Sequence, residues 1–243
     1  MIDITILHWR ISPYFICFLL SFVLAYLYVT WYLKKAGVRG SHIFYSELLN
    51  TVLALYFGAF YTFIVQLTEQ GKVETFGFSS LGGMAGILLG VWIFTKISKE
   101  HKIELWTAYV LALGLMYAVS KLGCFFAGCC YGRETDAWYG ITFTHSDFAP
   151  NGVKLIPTQL ISSAGDFLIC GILLWYAAKK PKPGRVASLY LLLYGMGRFL
   201  IEFLRDDYRG SLGIFSTSQI ISFGVVALGI VLYNVIPKVA KEA

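Results

Sequence analysis

Apolar residues in this chain fall in long runs separated by short polar breaks, not at every second position as in a half-buried strand nor along a single stripe as in a surface helix. The runs cover about residues 13–33, 48–68, 79–97, 105–122, 155–178, 186–204 and 217–236. Each is close to the ~20 residues a helix needs to cross a bilayer. In lipid every backbone N–H and C=O must be satisfied inside the protein, which restricts spanning segments to helices and closed barrels. The pattern predicts an all-α, polytopic integral membrane protein of about seven transmembrane helices, forming a single domain over residues 1–243. Some breaks are simple turns: Lys179-Lys180-Pro181-Lys182-Pro183-Gly184 ends one helix before the next begins. The longest break, residues 123–154, mixes glycines, cysteines, aromatics and charges. Loops of that kind carry function more often than spans do.

Composition supports this class. Of the 243 residues, 57% are hydrophobic and 14% charged, against roughly 25% charged in an ordinary soluble domain. A net charge of +6 would suggest nucleic acid if the protein were soluble, so its distribution decides. Lys34, Lys35, Arg39, Lys96, Lys99, Lys102, Lys179, Lys180, Lys182, Arg185, Lys238 and Lys241 all follow odd-numbered runs and fall on one side. The other side carries Arg10, Lys72, Arg133, Lys154, Arg205 and Arg209. The positive-inside rule then places the N-terminus outside, the C-terminus in the cytoplasm and residues 123–154 in an extracytoplasmic loop. The basic excess reflects topology, and no nucleic-acid partner is expected. The start, Met1 to Arg10, has no basic n-region and is followed by a run long enough to span, so no cleaved leader is expected.

The sixth run carries the chain's clearest chemistry. Arg198, Glu202 and Arg205 are spaced i, i+4, i+7 and share one helical face. A rise of ~1.5 Å per residue puts the arginines ~10 Å apart, Arg205 at the outer boundary and Arg198 well inside. An uncompensated arginine near mid-bilayer costs ~2.5 kcal/mol or more, and ionisable groups at such depth mark function by default. Two guanidiniums against one carboxylate leave positive charge that suits a phospholipid phosphate. Glu202 is either an acid–base group or the arginine's orienter.

Lys121 ends the fourth run at about the depth of Arg205, just ahead of Cys124, Cys129 and Cys130. A lysine beside a thiol makes it more reactive, so this stretch can hold a thiolate. It can equally hold a disulfide, because an extracytoplasmic face is often oxidising. A closed zinc site needs four ligands, and the only histidine nearby is His145, so no metal and no cofactor are assigned. Cys17 and Cys170 stand alone inside spans. Gln159, in Pro157-Thr158-Gln159-Leu160, would point an amide inward from the start of the fifth helix. Tyr14 is a further outer polar group, equally suited to an aromatic belt. Gly82 and Gly83 open the third run, where small residues admit either a neighbouring helix or a ligand. His8, His42 and His101 show no partner in the sequence. No serine–histidine–acid arrangement, phosphate loop or dinucleotide fingerprint is present.

These segments together resemble the prolipoprotein diacylglyceryl transferase family over nearly the whole chain, in order. The most specific match is Tyr194-Gly195-x-x-Arg198-Phe199-x-x-Glu202-Phe203-x-Arg205, joined by Gly82-Gly83, Gly123 to Gly132, Pro157-Thr158-Gln159-Leu160 and Tyr14. The resemblance implies a bacterial inner-membrane enzyme that moves the diacylglyceryl group of phosphatidylglycerol to the lipobox cysteine of a prolipoprotein at the outer leaflet, releasing glycerol phosphate. Arg198, Glu202, Lys121 and Tyr14 would then be catalytic, with Arg205, Gly82, Gly83 and Gln159 binding substrate. The partners would be an anionic, phosphatidylglycerol-like lipid and the prolipoprotein signal segment. Against the family pattern, a histidine is replaced by Leu81, arginines by Lys121 and Phe60, an asparagine by Cys124, a glutamate by Cys129, and the acid after the glutamine motif by Ser162.

Two alternatives follow from those replacements. One is a divergent paralogue in which Cys124, Cys129 or Cys130 acts on a lipid or thiol substrate. The other is a non-enzymatic lipid-binding or transport protein that keeps the charged cavity without turnover.

Overall fold

The computed structural model describes residues 4–6, 9–70, 72, 78–182, 184–207, 211–212 and 214–242; residues 4–6, 9–11, 69–70, 80–81, 211–212 and 235–242 are described by their backbone alone. His8, Arg209 and the side chains of Arg10, Leu81, Lys238 and Lys241 therefore lie outside the described residues.

Among the described residues seven long helices follow the seven apolar runs: α1 (Pro13–Lys35), α2 (Gly40–Gln70), α3 (Ser80–Ser98), α4 (Lys102–Ala127), α5 (Thr158–Ala178), α6 (Arg185–Ile201) and α7 (Thr217–Glu242). Six stretches, α3 excepted, are long and apolar enough to cross a membrane; in α3 the described apolar helix is the shorter Gly82–Ser98. The sequence misplaces several helix ends. Helix α2 begins at Gly40 instead of 48 and α4 ends at Ala127 instead of 122, because a helix continues past the apolar core into polar sequence wherever its backbone bonds are met. Gly123 and Cys124 thus belong to the last turns of α4, and the loop expected over 123–154 begins only at Gly128.

Helix α6 also departs from expectation. It ends at Ile201 and tightens into a 3₁₀ turn over Glu202–Leu204. Arg205 then turns extended, with φ −86° and ψ 154°. A single helical face through Arg198, Glu202 and Arg205 therefore does not exist as the spacing predicts.

The described chain forms two compact units, residues 26–113 and residues 1–25 with 114–243, the divisions falling inside α1 and α4. In the 26–113 unit α2 packs on α3 through small residues. A Cβ on Gly82 would collide with the Phe57 carbonyl, one on Gly86 with the Leu53 carbonyl, and one on Gly83 would lie 2.8 Å from the Phe78 ring. Lipid gives helices no hydrophobic reason to associate, so close backbone approach of this kind supplies the packing. A buried polar group accompanies it: Tyr109 Oη donates to Ser46 Oγ (3.0 Å), Asn50 Nδ2 to the Ser46 carbonyl (2.7 Å) and Thr30 Oγ1 to Glu47 Oε1 (2.7 Å).

In the other unit α6 lies between α5 and α7. The Tyr190 and Tyr194 rings stack at 5.6 Å, Tyr194 meets Tyr117 of α4 edge-on at 5.3 Å, and Ser163 Oγ donates to the Ala118 carbonyl at 2.7 Å. Leu19, Phe167, Leu168, Trp175, Leu200 and Phe223 stand exposed on the helices of this unit, as expected of groups solvated by acyl chains.

Candidate functional site

The site is built where the chain enters α5 and where it leaves α4 and α6. After α4 the backbone is drawn into a short ladder. Gly132 N donates to the Ile156 carbonyl (3.1 Å), Ile156 N to the Arg133 carbonyl (2.9 Å), Arg133 N to the Leu204 carbonyl (2.9 Å) and Asp206 N to the Tyr131 carbonyl (3.3 Å). Only glycine fits at 132, because a Cβ there would stand 2.6 Å from the Ile156 carbonyl oxygen and 2.7 Å from that of Leu204. The ladder pulls Arg205 out of the helix and seats it opposite Gly132.

The turn just ahead of the ladder is tied to the start of α5. Thr158 Oγ1 donates to the Cys130 carbonyl (2.6 Å) and Gln159 Nε2 to the Cys129 carbonyl (2.8 Å). Cys130 takes φ +62°, a left-handed conformation uncommon for a residue with a side chain and a mark of a backbone held by its surroundings. The Sγ atoms of Cys124, Cys129 and Cys130 all lie within 4.8 Å of one another. Cys129 Sγ approaches the Cys124 carbonyl at 3.7 Å, and Lys121 Nζ stands 4.0 Å from Cys130 Sγ. The neighbouring thiols of Cys124 and Cys129, then Lys121 and Arg205, outweigh burial and hold the Cys130 thiol below its ordinary range. Cys124 and Cys130 hydrogen bonding pushes the Cys129 thiol up.

Beside this turn is a cavity of about 250 Å³ whose ionisable and aromatic lining is Tyr117, Lys121, Asp166, Tyr194, Arg198 and Arg205; Gly165 and Gly197 leave it open. Arg198 Nη1 donates to Glu202 Oε2 at 2.6 Å and Nη2 to Ser218 Oγ at 2.8 Å. Arg205 grips Asp207 with both arms of its fork, Nε to Oδ1 at 2.8 Å and Nη2 to Oδ2 at 2.5 Å. Burial alone would ease Arg205 toward neutrality, but Asp207 and Cys130 hold it firmly charged. Lys121 Nζ lies 5.1 Å above the Tyr117 ring.

This geometry corrects the expected surplus of positive charge. Each arginine has its own carboxylate, Glu202 or Asp207, and Lys121 has Asp166 within electrostatic reach. A phosphate entering the cavity would have to share these guanidiniums, whose remaining N–H groups supply the donors.

Of the residues singled out in the sequence, Arg198, Arg205 and Lys121 line the cavity, and Glu202 holds Arg198 from behind. Tyr14 is 40% exposed and within electrostatic reach of Lys121 and the three cysteines. A Cβ on Gly123 would meet the Tyr14 carbonyl at 3.2 Å. Gln159, 0% exposed, does not line the cavity; it positions the cysteine turn, and its Oε1 has no hydrogen-bond partner among the described residues. Gly82 and Gly83 lie in the 26–113 unit, where they meet α2 and Phe78. Phe60 stacks on Tyr56 at 5.8 Å and is exposed.

Three cavity residues, Asp166, Tyr117 and Tyr194, were not assigned a role from the sequence. Asp166 is 7% exposed and makes no hydrogen bond with another described residue. The rule that flags Arg198, an ionisable residue inside an apolar run, flags Asp166 as well. It stands one turn beyond Ser162, and both line the cavity, so the acid missing at 162 reappears on the same helical face. Tyr117 stands one turn before Lys121 by the same logic.

The family model of the prolipoprotein diacylglyceryl transferases matches residues 2–235. A phosphatidylglycerol–prolipoprotein diacylglyceryl transferase of Clostridium tetani is 37% identical over 208 residues, 83% of this chain and 84% of that protein. One from Clostridium perfringens is 43% identical over 159 residues, covering 65% of this chain and 62% of its own length. One from Cupriavidus metallidurans is 34% identical over 170 residues, covering 68% and 61%. With its long apolar helices, the chain is a multi-pass bacterial membrane protein, and it belongs to the prolipoprotein diacylglyceryl transferase family.

Proposed function

We propose that this chain transfers the diacylglyceryl group of phosphatidylglycerol to the lipobox cysteine thiol of a prolipoprotein. The thiol sulfur attacks the glycerol carbon that carries the phosphate, a C–S bond forms as the C–O bond breaks, and the bonding pair leaves with glycerol phosphate. The thiol proton ends on that leaving phosphate.

Arg198 and Arg205 hold the phosphate and stabilise the charge growing on its departing oxygen, an electrostatic role worth about 10²–10³ in rate for a single well-placed donor. Lys121 adds a third cation at the turn. Glu202, bound to Arg198 at 2.6 Å, is the orienter of the alternatives considered above. Asp166, which makes no hydrogen bond with another described residue, is the acid–base group that relays the thiol proton. Tyr14 and the cysteine turn border the approach of the acceptor. The positive-inside pattern supports a site opening toward the extracytoplasmic leaflet of the inner membrane, with the N-terminus on that side and the C-terminus in the cytoplasm.

One observation carries this reading: a cavity between membrane helices that gathers Lys121, Arg198 and Arg205 with Asp166 beside open space. The purified protein, given phosphatidylglycerol vesicles and a synthetic lipobox peptide, should yield a thioether-linked peptide by mass spectrometry and equimolar glycerol phosphate. Tight lipid binding with no peptide product over long incubation would favour the non-enzymatic alternative.

A further inference from the structure

The three cysteines ask for a role that the phosphate-holding cavity does not give them. Cys129 and Cys130 are neighbours, and neighbours on an extended strand point to opposite sides. The left-handed turn at Cys130 (φ +62°) breaks that alternation, and both sulfurs converge with that of Cys124 from the last turns of α4 to within 4.8 Å of one another. The convergence is held from outside the trio. Thr158 and Gln159, both fully buried, clamp the carbonyls of Cys130 and Cys129.

From this geometry we infer an open three-thiolate zinc site at Cys124, Cys129 and Cys130, whose fourth position takes the acceptor thiol; the second part rests on the function proposed above. Four-coordinate zinc with Zn–S bonds of about 2.3 Å sets its sulfurs about 3.8 Å apart. The sulfurs here need close by no more than about 1 Å to reach that spacing, a side-chain adjustment. Three protein ligands with one position open is the pattern of catalytic zinc, where four closed ligands would make a structural site. Sequence counting excludes the closed site only.

Charge also fits. Three thiolates and Zn²⁺ sum to one negative charge, and Lys121 Nζ is 4.0 Å from Cys130 Sγ to balance it, with Arg205 bearing on the same sulfur. Thiolates are soft ligands that suit zinc, and zinc has no redox chemistry of its own, which matches a transfer that neither oxidises nor reduces its substrates. A thiol that enters the fourth position is deprotonated by the metal. Its sulfur then lies beside Lys121 and Arg205, both of which line the cavity. The metal-bound sulfur attacks the lipid's glycerol carbon, the C–O bond to phosphate breaks, and the thioether product dissociates as a poor ligand. The proton released on binding leaves on glycerol phosphate.

The test uses the full chain in detergent, reduced, stripped with chelator and reloaded with one equivalent of zinc. X-ray absorption should show three sulfur neighbours, rising to four when the lipobox peptide is added. Cobalt(II) in place of zinc should show thiolate charge-transfer bands that shift with the peptide. Diacylglyceryl transfer should fall about a hundredfold on stripping and return with zinc, and Cys124→Ser with Cys129→Ser and Cys130→Ser should lose the metal. The absorption measurement on the unmodified chain needs no variant to fold. Zinc that does not bind at micromolar concentration, or that binds without sulfur, overturns the site. Transfer at full rate in stripped protein overturns the zinc step and leaves the proposed function intact. Three-sulfur zinc that never admits the peptide overturns the acceptor assignment. Peptide sulfur entering the shell without any transfer supports the site and counts against the proposed reaction.

Discussion

Each of the two units buries a carboxylate inside a membrane helix, and the two are treated differently. Glu47, 5% exposed, accepts from Thr30 Oγ1, and around it Ser46, Asn50 and Tyr109 bond one another. No guanidinium or ammonium pairs with it among the described residues. Asp166, 7% exposed, opens instead on a cavity that also holds Lys121, Arg198 and Arg205. The two carboxylates differ in what surrounds them. Glu47 is held by the Thr30 hydroxyl, whereas Asp166 faces open space that Lys121, Arg198 and Arg205 also line.

Substitutions should separate the two. Arg198→Ala removes a phosphate donor and leaves Glu202 buried without its partner; transfer should drop by about 10³, with the protein still inserted. Retention of even a tenth of the activity would take Arg198 out of the chemistry. Asp166→Asn keeps the shape but loses the base, so a fall of about 10² in kcat with little change in lipid affinity is expected. A change confined to KM would make Asp166 a binding group instead. Arg205→Lys keeps the charge and gives up the fork that grips Asp207, costing about tenfold; an unaltered rate would show that bidentate geometry is unused. Glu47→Gln should leave transfer within about twofold and shift stability by about 1 kcal/mol or less, since an amide oxygen still accepts from Thr30. A loss as large as that of Asp166→Asn would erase the contrast between the units.

Much of the fold was legible because hydropathy reports span length directly, and all seven apolar runs became helices. What it could not report was where polar sequence stays helical, hence the early start of α2 and the late end of α4. The face expected through Arg198, Glu202 and Arg205 failed for a nonlocal reason: the Gly132 ladder draws Arg205 into extended backbone. That same bend lets Arg205 reach Asp207, two residues on, a pairing that helical spacing forbids and that removes the expected charge surplus. Asp166 is legible in the sequence by the same rule as Arg198, an ionisable residue inside an apolar run. The gathering of the cysteines was visible as proximity along the chain, but their convergence depends on the positive φ at Cys130, which no residue type announces.

The most direct test of the charged cavity as a transfer site is made in cells lacking their own diacylglyceryl transferase. There this chain and its Arg198→Ala variant, matched for membrane level, act on one model lipoprotein whose mass is then measured. The unmodified chain should add a diacylglyceryl group to the lipobox cysteine and the variant should add none. Equal modification by both would contradict the account.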